Sequence, residues 1–223
     1  MRVLRQRVDG IIFTCLLSED SVRRVQESGV PVCVVERSKR LQDVDVVLVD
    51  NQAGAYAAVQ YLLTIGHQAI AYIGGQPQDI VEAECLEGYR RALAVAGLAC
   101  RDEHIRLLGV QQHGYDGLAA LLHLDRRPTA AFVASDLAAM GALQALGERR
   151  LRVPDDLSLV GFDDTIAVLA RPPLTTVALP IREMGAAAVD LLARRAAEGP
   201  GLPPQRVVLN SELVVRASCQ PPR

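Results

Sequence analysis

Two adjacent carboxylates, Asp163 and Asp164, follow an apolar run at residues 157–162 that is predicted to be a buried strand. Carboxylates in this place can accept hydrogen bonds from a ligand's hydroxyl or N–H groups, or hold Mg²⁺. They can also bond the free amides of a following helix. Polar residues end other predicted strands in the same way: Glu36, Asp50 with Asn51, Gly74-Gly75-Gln76, and Ser135 with Asp136.

Each of these polar groups has a structural explanation beside the functional one. A short polar residue between a strand and a helix is often the helix N-cap, and that interpretation is favoured for Asp50 and Asp136. Asp164 can equally serve a local turn through its own backbone. Asp163 stays open between a ligand contact and a structural role, because a second acid beside it already meets the cap requirement.

The motifs of common enzyme classes are missing from the sequence. It contains no GxSxG elbow and no glycine-rich phosphate loop, and Gly74-Gly75 alone is a weak phosphate signal. The four histidines (His67, His104, His113 and His123) are too dispersed for a zinc site, and His67 is predicted to be a cation that follows the helix stop at Gly66. A phosphate-handling Mg²⁺ site at Asp163-Asp164 would use a lysine, and the only lysine is Lys39. The sequence therefore predicts a non-enzyme without metal or cofactor, with a Mg-dependent phosphate-handling enzyme as the third alternative.

Composition narrows the class of protein further. The 223 residues carry a formal net charge of -2, so no global positive field attracts nucleic acid or an anionic membrane. Five cysteines without a CxxC pair are typical of reduced thiols in the cytoplasm. Neither a signal peptide nor a membrane span is recognisable. We therefore expect a cytoplasmic protein.

Short branched runs alternate with segments of helical period along most of the chain, which predicts a series of βα units. Such alternation specifies an α/β fold of parallel sheets flanked by helices, with ligands at the carboxyl ends of the strands. The predicted strands are residues 8–13, 30–36, 44–50, 69–75, 104–110, 129–136, 157–164 and 174–180, then two strands hinged at Asn210-Ser211. The predicted helices run from Ser18 to Gly29, Gly54 to Gly66, through Leu86 to Gly97, through Leu118 to Leu122, 137–147 and 181–197, and QPPR is expected to be a frayed tail.

Several of these segments together resemble the effector-binding region of the lactose/galactose repressor (LacI/GalR) family of bacterial transcription regulators. They include GVPVCVVER (29–37), VDNQAGAYAAVQYLLTIGHQAIAYIGG (49–75), LEGYRRAL (86–93), PTAAFVASDLAAMGALQALGE (128–148), VPDDLSLVGFDD (153–164) and VVLNSELVVRAS (207–218). Each is modest alone, but their order and spacing cover nearly the whole chain.

The resemblance implies two lobes of periplasmic-binding-protein type, a small sugar or nucleobase effector in the cleft between them, and a homodimer. It assigns residues 1–50 and 164–199 to the first lobe, and 51–163 and 200–220 to the second. The family's helix-turn-helix head and the opening strands of the first lobe have no counterpart before RVDGIIF. We therefore expect an N-terminally truncated first lobe with an exposed apolar edge, and contact with operator DNA only through an absent N-terminal head.

The resemblance also implies ligand-binding residues. The family's cleft acid falls on Asp163, a polar contact position on Ser135, and aromatic positions against the ligand on Phe132 and Tyr115. Glu36 stands where a strand-end acid can reach in from the first lobe. Cys85 occupies the position where the family commonly carries an arginine that grips the ligand, so a strong hydrogen-bond donor is lost there.

These expectations make the chain the effector-sensing region of a sugar-type transcriptional repressor. The alternative is a solute-binding protein of a sugar transporter, which shares the two-lobe design. An upstream secretory segment would favour the transporter protein, and an upstream helix-turn-helix would favour the repressor.

Overall fold

Contacts within the computed structural model divide the chain into two compact units. Unit 1 takes Met1–Asp50 and Pro180–Asn210, and unit 2 takes Asn51–Leu179 and Ser211–Arg223. The structure describes residues 8–14, 19–35, 43–108, 113–199 and 201–223. Each unit is a mostly parallel β-sheet flanked by helices, as the alternating pattern predicts.

Unit 1 is built on a four-stranded parallel sheet in the order β1-β2-β3-β9. Its strands are β1 (Ile11–Phe13), β2 (Val32–Val35), β3 (Asp45–Val49) and β9 (Arg206–Leu209), and its helices are α1 (Glu19–Gln26) and α6 (Ile181–Glu198). Helix α1 buries Val22 and Val25 against the sheet, while α6 packs on β2 and β3. Within the described residues no strand pairs with the outer side of β1.

Unit 2 is built on a six-stranded sheet in the order β10-β8-β7-β6-β4-β5. All neighbours are parallel except β10, which is antiparallel to β8. The strands are β4 (Ile70–Gly74), β5 (Ile105–Leu107), β6 (Ala130–Val133), β7 (Ser158–Asp163), β8 (Thr175–Ala178) and β10 (Glu212–Val214). The helices are α2 (Asn51–Thr64), α3 (Ile80–Val95), α4 (His113–Leu121) and α5 (Asp136–Glu148).

Helices cover both faces of the unit 2 sheet, and this explains its continuously apolar strands. Helices α2 and α3 share one core cluster with β4, β6 and β7, and α4 and α5 share the other. The α2–α3 contact depends on Gly88, where a Cβ atom would collide with the Gln52 carbonyl oxygen and lie 2.8 Å from the Ala55 Cβ. Close helix contact therefore requires glycine at this position.

Helix ends follow the glycine signals with one exception. Helices α2 and α3 end at Gly66 (φ 104°) and Gly97 (φ 70°), where the next amides bond back to Leu62 and Leu93. Helix α5 ends at Glu148, one residue after the predicted stop at Gly147, and the left-handed position that follows is taken by Arg150 (φ 57°) instead of a glycine. Helix α2 begins at Asn51 rather than at Gly54.

Two of the crossings between units differ from the expected ones. The first crossing lies between Asp50 and Asn51, but the second follows Leu179 rather than residue 163, and the third follows Asn210 rather than residue 199. The physical reason is strand pairing: β8 pairs with β7 in unit 2, whereas β9 pairs with β3 in unit 1. The chain can change units only after those hydrogen bonds are complete.

The C-terminal residues are bound to unit 2 and not frayed as expected. The Gln220 amide donates to Ser158 Oγ (3.1 Å), and Arg223 pairs with Asp155 at 2.6 Å. The buried His67 ring lies between Thr129 Oγ1 (2.8 Å from Nδ1) and the Gln220 carbonyl (3.0 Å from Nε2). Burial lowers the His67 pKa, so the predicted cation is instead a neutral bridge to the C-terminal segment.

None of the helices that the structure describes is long and apolar enough to cross a membrane. The four described cysteines, Cys33, Cys85, Cys100 and Cys219, are free thiols.

Candidate functional site

The carboxyl ends of β4, β6, β7 and β8 meet along one edge of the unit 2 sheet, which we call the strand-end edge. It carries Gly74-Gly75, Ser135-Asp136 and Asp163-Asp164. In open parallel sheets, ligands bind outside this edge. The strand order places β6 next to β7, and their last paired residues are Phe132 and Val160. Ser135 and Asp163 each follow this pair by three residues, so two of the predicted ligand-binding residues lie at the ends of neighbouring strands.

Asp163 is the last residue of β7, and its backbone is in an unusual conformation. It is half-buried and has φ 109°, and Asp164 after it has φ 57°. Two consecutive non-glycine residues with positive φ are strained, and such strain persists only where surrounding bonds enforce it. The Asp163 carbonyl accepts a bond from the Leu179 amide at 3.4 Å.

The second acid of the pair is occupied by an arginine. Arg216 Nη2 lies 2.8 Å from Asp164 Oδ1 and 2.9 Å from Asp164 Oδ2. Arg216 belongs to the segment after β10, 52 residues further along the chain. The Asp164 carboxylate is thus held by an ion pair with Arg216 and does not cap a helix.

Asp136, for which a helix cap was favoured, is a buried structural carboxylate instead. It is the first residue of α5 and has no exposed surface. Its Oδ1 accepts from the Thr176 hydroxyl at 2.7 Å, and its Oδ2 accepts from the Thr165 amide at 3.0 Å. Burial raises the Asp136 pKa, while these bonds act in the opposite direction. Asp136 therefore ties α5 to β8 and to the turn after β7.

Ser135 occupies the N-cap position of α5 with an extended backbone, but its side chain makes no cap hydrogen bond. Its hydroxyl is half-buried at the end of β6. A hydroxyl can both donate and accept, which suits a polyhydroxylated ligand.

Glu82, which the sequence did not suggest, fills the Gly74-Gly75 turn. Its Oε2 accepts from the Gly75 amide at 2.8 Å and from the Tyr72 hydroxyl at 3.4 Å. A Cβ atom on Gly75 would lie 2.8 Å from the Glu82 carboxyl group, so glycine leaves the room for it. A carboxylate already holds the amide that a phosphate would need, which argues against phosphate binding at this turn.

Two other residues that the resemblance assigns to the ligand lie in the interior of unit 2. Cys85 and Phe132 have no exposed surface and lie in the core shared by α2, α3 and the sheet, where Phe132 packs edge-on against Tyr72 and Phe162. Burial raises the Cys85 pKa well above the ordinary value, and nearby carboxylates, Glu82 and Asp163 among them, raise it further. Cys85 is therefore a neutral thiol in the core.

Tyr115 is directed along α5 towards its C-terminal end. Its hydroxyl donates to Glu148 Oε2 at 2.6 Å, and Arg149 lies 5.9 Å from the ring centroid. Glu148 is the last residue of α5, whereas Ser135 precedes the first. A helix of 13 residues is about 20 Å long, so the structure does not bring the Tyr115 hydroxyl to Ser135 or Asp163. Glu36 lies outside the described residues.

Two buried oxygen atoms near the start of α2 and before β10 lack a hydrogen-bond partner. They are Asn51 Oδ1 and Ser211 Oγ, and Asn51 is only 1 % exposed. The Asn51 amide group donates to Glu84 Oε2 at 3.0 Å. Buried polar atoms are normally satisfied by protein or by water, so these two mark places where an additional donor fits.

One cavity of about 450 Å³ lies at the other end of unit 2, between the 3₁₀ turn Asp102–His104 and the C-terminal end of α4. Arginine and carboxylate side chains of both signs line it, and Arg101 pairs with Glu103 at 3.6 Å. It contains none of the strand-end residues. Among the described residues, no group of three or more acidic, histidine or cysteine side chains is arranged to hold a metal ion.

Residues 59–219 match the family model described as a periplasmic binding protein-like domain. The chain is 41% identical to the HTH-type transcriptional regulator DegA of Bacillus subtilis, over 98% of this chain and 66% of DegA. It is 39% identical to the HTH-type transcriptional regulator CelR of Thermobifida fusca, over 96% of this chain and 64% of CelR. The chain thus spans about two thirds of the length of these curated relatives.

Solved structures of similar proteins have the same fold. A CelR–cellobiose complex superposes with a TM-score of 0.87 at 34% identity, covering 97% of this chain and 68% of that one. A LacI family transcriptional regulator from Enterococcus faecium with bound ribose also gives 0.87, at 30% identity, covering 100% and 83%. The match to the domain model and these two likenesses over nearly the whole chain establish the family: the chain belongs to the LacI/GalR transcription regulators, of which it has the periplasmic-binding-protein-like domain.

Proposed function

We propose that this chain is the effector-sensing and dimerising region of a LacI-type DNA-binding transcriptional regulator, and that it binds a small sugar-like ligand at the strand-end edge of unit 2. The observation that carries the proposal is Asp163, a half-buried carboxylate held in a strained backbone at the end of a central parallel strand. A regulator of bacterial DNA acts in the cytoplasm, so the proposal includes that location.

The chemistry of the edge suits a neutral polyhydroxylated ligand. The Asp163 carboxylate accepts hydrogen bonds from sugar hydroxyls, and the neighbouring Ser135 hydroxyl donates or accepts. Since Glu82 occupies the Gly75 amide, the Gly74-Gly75 turn offers no phosphate cradle. Relatives of this chain have been solved with cellobiose and with ribose, which supports a sugar as the ligand class.

Thermal unfolding of the purified chain with and without a panel of monosaccharides, disaccharides and sugar phosphates tests the ligand class. A ligand at a hundred times its dissociation constant adds about 2.7 kcal/mol to the free energy of unfolding. We expect one neutral sugar to raise the midpoint and Asp163→Asn to reduce that shift.

Asp125→Asn serves as the matched control, because Asp125 is exposed and lines the cavity at the other end of unit 2. It is expected to leave the ligand-induced shift unchanged. A shift that is equally large in wild type and Asp163→Asn would contradict the role of Asp163. A panel without any stabilising sugar would contradict the sugar-sensing function.

An apolar patch on unit 2 supports the dimerisation part of the proposal. Leu137, Val168 and Leu169 are 71%, 60% and 68% exposed, respectively. Leu137 follows Asp136 at the start of α5, and the Asp136–Thr165 hydrogen bond holds the 3₁₀ turn Ala167–Leu169 near that helix end. Exposed apolar side chains that cluster in this way are typical of association surfaces. We propose that a second copy of the chain covers this patch.

Sedimentation equilibrium of Leu169→Glu tests the patch. A charge there is expected to shift the chain towards monomer, because burying an unpaired carboxylate opposes association. Val95→Glu is the matched control, since Val95 is 66% exposed at the end of α3 and outside the patch. Equal dimer fractions in Leu169→Glu and Val95→Glu would place the interface elsewhere.

Recognition of operator DNA belongs, in this proposal, to the whole regulator and not to these 223 residues. The names of the relatives carry the helix-turn-helix label, and this chain covers 66% and 64% of their lengths. Its net charge of -2 gives no general attraction to DNA. Electrophoretic mobility shifts with the chain alone are expected to show no binding, and a retarded operator band would contradict this assignment.

A further inference from the structure

We propose that Glu82 is a specificity-determining residue of the strand-end edge, and that it excludes phosphorylated sugars from it. The inference rests on the proposed binding of a small sugar-like ligand at this edge, and it names the ligand class more closely as a sugar without a phosphate group. Glu82 lies in the first turn of α3.

The turn after β4 has the form of an anion site. Strand β4 ends at Gly74 and α3 begins at Ile80, so the turn lies between the carboxyl end of a parallel strand and a helix N-terminus. In α/β folds this place attracts anions, because the backbone amides and the helix dipole both favour negative charge. The phosphate group of a sugar phosphate at the strand-end edge would therefore be drawn to this turn.

The anion that occupies the turn is a carboxylate of the protein itself. Glu82 Oε2 accepts from the Gly75 amide at 2.8 Å and from the Tyr72 hydroxyl at 3.4 Å. Tyr72 has no exposed surface, so water does not compete for its hydroxyl group. Two donors thus converge on one oxygen atom of Glu82, as they would on a phosphate oxygen.

The space in the turn is filled by that carboxylate. A Cβ atom on Gly75 would lie 2.8 Å from the Glu82 carboxyl carbon, so glycine makes the room that Glu82 takes. A Cβ atom on Gly74 would collide with the Tyr72 hydroxyl group, so glycine also lets the tyrosine reach Glu82. A phosphate group can therefore bond the Gly75 amide only if the Glu82 side chain leaves it.

The charges around the start of α3 act in the same direction. Before Arg90, helix α3 contains three glutamates and no lysine or arginine. Burial is the main reason why the pKa of the Cys85 thiol is raised, and the Glu82 and Asp163 carboxylates raise it further. Negative charge is thus disfavoured here, and a phosphate group, with about two negative charges, meets repulsion in addition to an occupied amide.

A neutral sugar meets neither obstacle. Its hydroxyl groups can donate to carboxylates, and it does not depend on the Gly75 amide. A sugar and its phosphate ester differ by one charged group, so a residue that acts on that group alone can discriminate between them.

The test compares wild type with two variants of Glu82. Glu82→Ala empties the turn, whereas Glu82→Gln removes the charge but keeps an acceptor for the Gly75 amide. Glu87→Ala is the matched control, since Glu87 is an exposed acid of the same helix. Affinities for ribose and ribose 5-phosphate are measured by titration calorimetry, and the effect of inorganic phosphate is measured as the midpoint of thermal unfolding.

We expect wild type to bind ribose at least about tenfold more tightly than ribose 5-phosphate, and Glu82→Ala to lose most of that preference. Inorganic phosphate should raise the unfolding midpoint of Glu82→Ala but not that of wild type, because the variant leaves the Gly75 amide and the Tyr72 hydroxyl without this acceptor. Glu82→Gln should lie between the two, and Glu87→Ala should behave as wild type.

Three results would overturn the inference. The first is equal affinity of wild type for ribose and ribose 5-phosphate. The second is a preference in Glu82→Ala that is as strong as in wild type. The third is an equal loss of preference in Glu87→Ala and Glu82→Gln, because the effect would then come from net charge and not from the turn. If Glu82→Ala does not fold, Glu82→Gln decides, since its turn keeps the hydrogen bond to Gly75.

Failure of the proposed function gives a different result. If wild type and the variants bind neither ribose compound, the sugar assignment is wrong for this probe, and inorganic phosphate still decides the role of Glu82. Stabilisation of Glu82→Ala by phosphate would then support an anion place that Glu82 fills, and equal midpoints with and without phosphate would overturn it.

Discussion

Removal of the Asp45 carboxylate is expected to destabilise unit 1 more than any surface substitution. Asp45, the first residue of β3, is 1% exposed and faces the Arg195 guanidinium group of α6. Its oxygens accept from Arg195 Nε at 2.6 Å, from Arg195 Nη2 at 2.7 Å and from the Gln205 amide at 2.8 Å. Arg195 donates onward to the Leu202 and Pro203 carbonyls. One carboxylate thereby joins β3, α6 and the segment that leads into β9.

The magnitude follows from burial. Removing one partner of a buried ion pair costs about 3–5 kcal/mol, because the other charge remains uncompensated. The Arg195 side chain is 16% exposed and can recover some hydration, which places Asp45→Ala near the lower end, at about 3 kcal/mol. The lost bond to the Gln205 amide adds to this, and the start of β9 should loosen.

Urea unfolding followed by circular dichroism measures the effect, since the chain has no Trp. Asp45→Ala, Arg195→Met and the double variant form a cycle, in which the double variant is expected to be less destabilised than the sum of the single variants. Asp190→Asn, at an exposed position of α6, controls for loss of an acid. A loss below about 1 kcal/mol in Asp45→Ala, or strictly additive effects, would refute this reasoning, since exposed pairs contribute about that much.

Three further outcomes follow from particular positions. Burial lowers the His67 pKa below 6.5, so the unfolded chain binds more protons than the folded chain, and the stability present above pH 6.5 should be lost as the pH falls. Thermal melting between pH 7.5 and pH 5 should show this loss in wild type and a smaller loss in His67→Gln. Arg150→Gly should raise the free energy of unfolding by about 1 kcal/mol in urea titrations, because glycine adopts φ 57° without strain. A lower free energy of unfolding in this variant would contradict the idea that the Arg150 backbone is strained. Gly88→Ala should lower the free energy of unfolding by about 1–3 kcal/mol, because the added Cβ collides with the Gln52 carbonyl oxygen. Gly147→Ala, whose Cβ would meet nothing within 4 Å, should be neutral or stabilising. Equal effects of the two substitutions would contradict the close α2–α3 contact.

The sequence predicted the elements well because their signals are local. Branched runs and helical spacing depend on neighbouring residues, and the helix stops at Gly66 and Gly97 follow from the positive φ that glycine adopts easily. The end of α5 was predicted within one residue, but its left-handed position is taken by Arg150, a residue with no such preference, and not by Gly147. The units change after Leu179 and Asn210 because the ends of β8 and β9 are set by pairing with distant strands, which a local sequence pattern does not contain.

The exposure of the predicted site residues could be predicted only in part, because parallel strands are buried on both faces. Where both faces of a strand are covered, no alternation of polar and apolar residues tells which side chains face solvent. Phe132 and Cys85 were therefore assigned to the ligand by position, and the structure has them in the core. Asp163 and Ser135 were predicted because polar residues at strand ends stand out against apolar runs; the structure has both at the strand-end edge, and their contact with a ligand stays a prediction.

The sequence by itself determined the α/β fold, the order of the strands and helices, the family, and the presence of acids at the end of β7. Only the tertiary structure decided what each acid does: Asp164 pairs with Arg216, Asp136 is buried beneath the turn, and Asp163 remains at the edge. The physical reason is the sequence distance over which each interaction acts. Helix and strand formation depend on residues within a few positions of each other, whereas the pairing of a carboxylate depends on which cation the folded chain brings within about 3 Å of it.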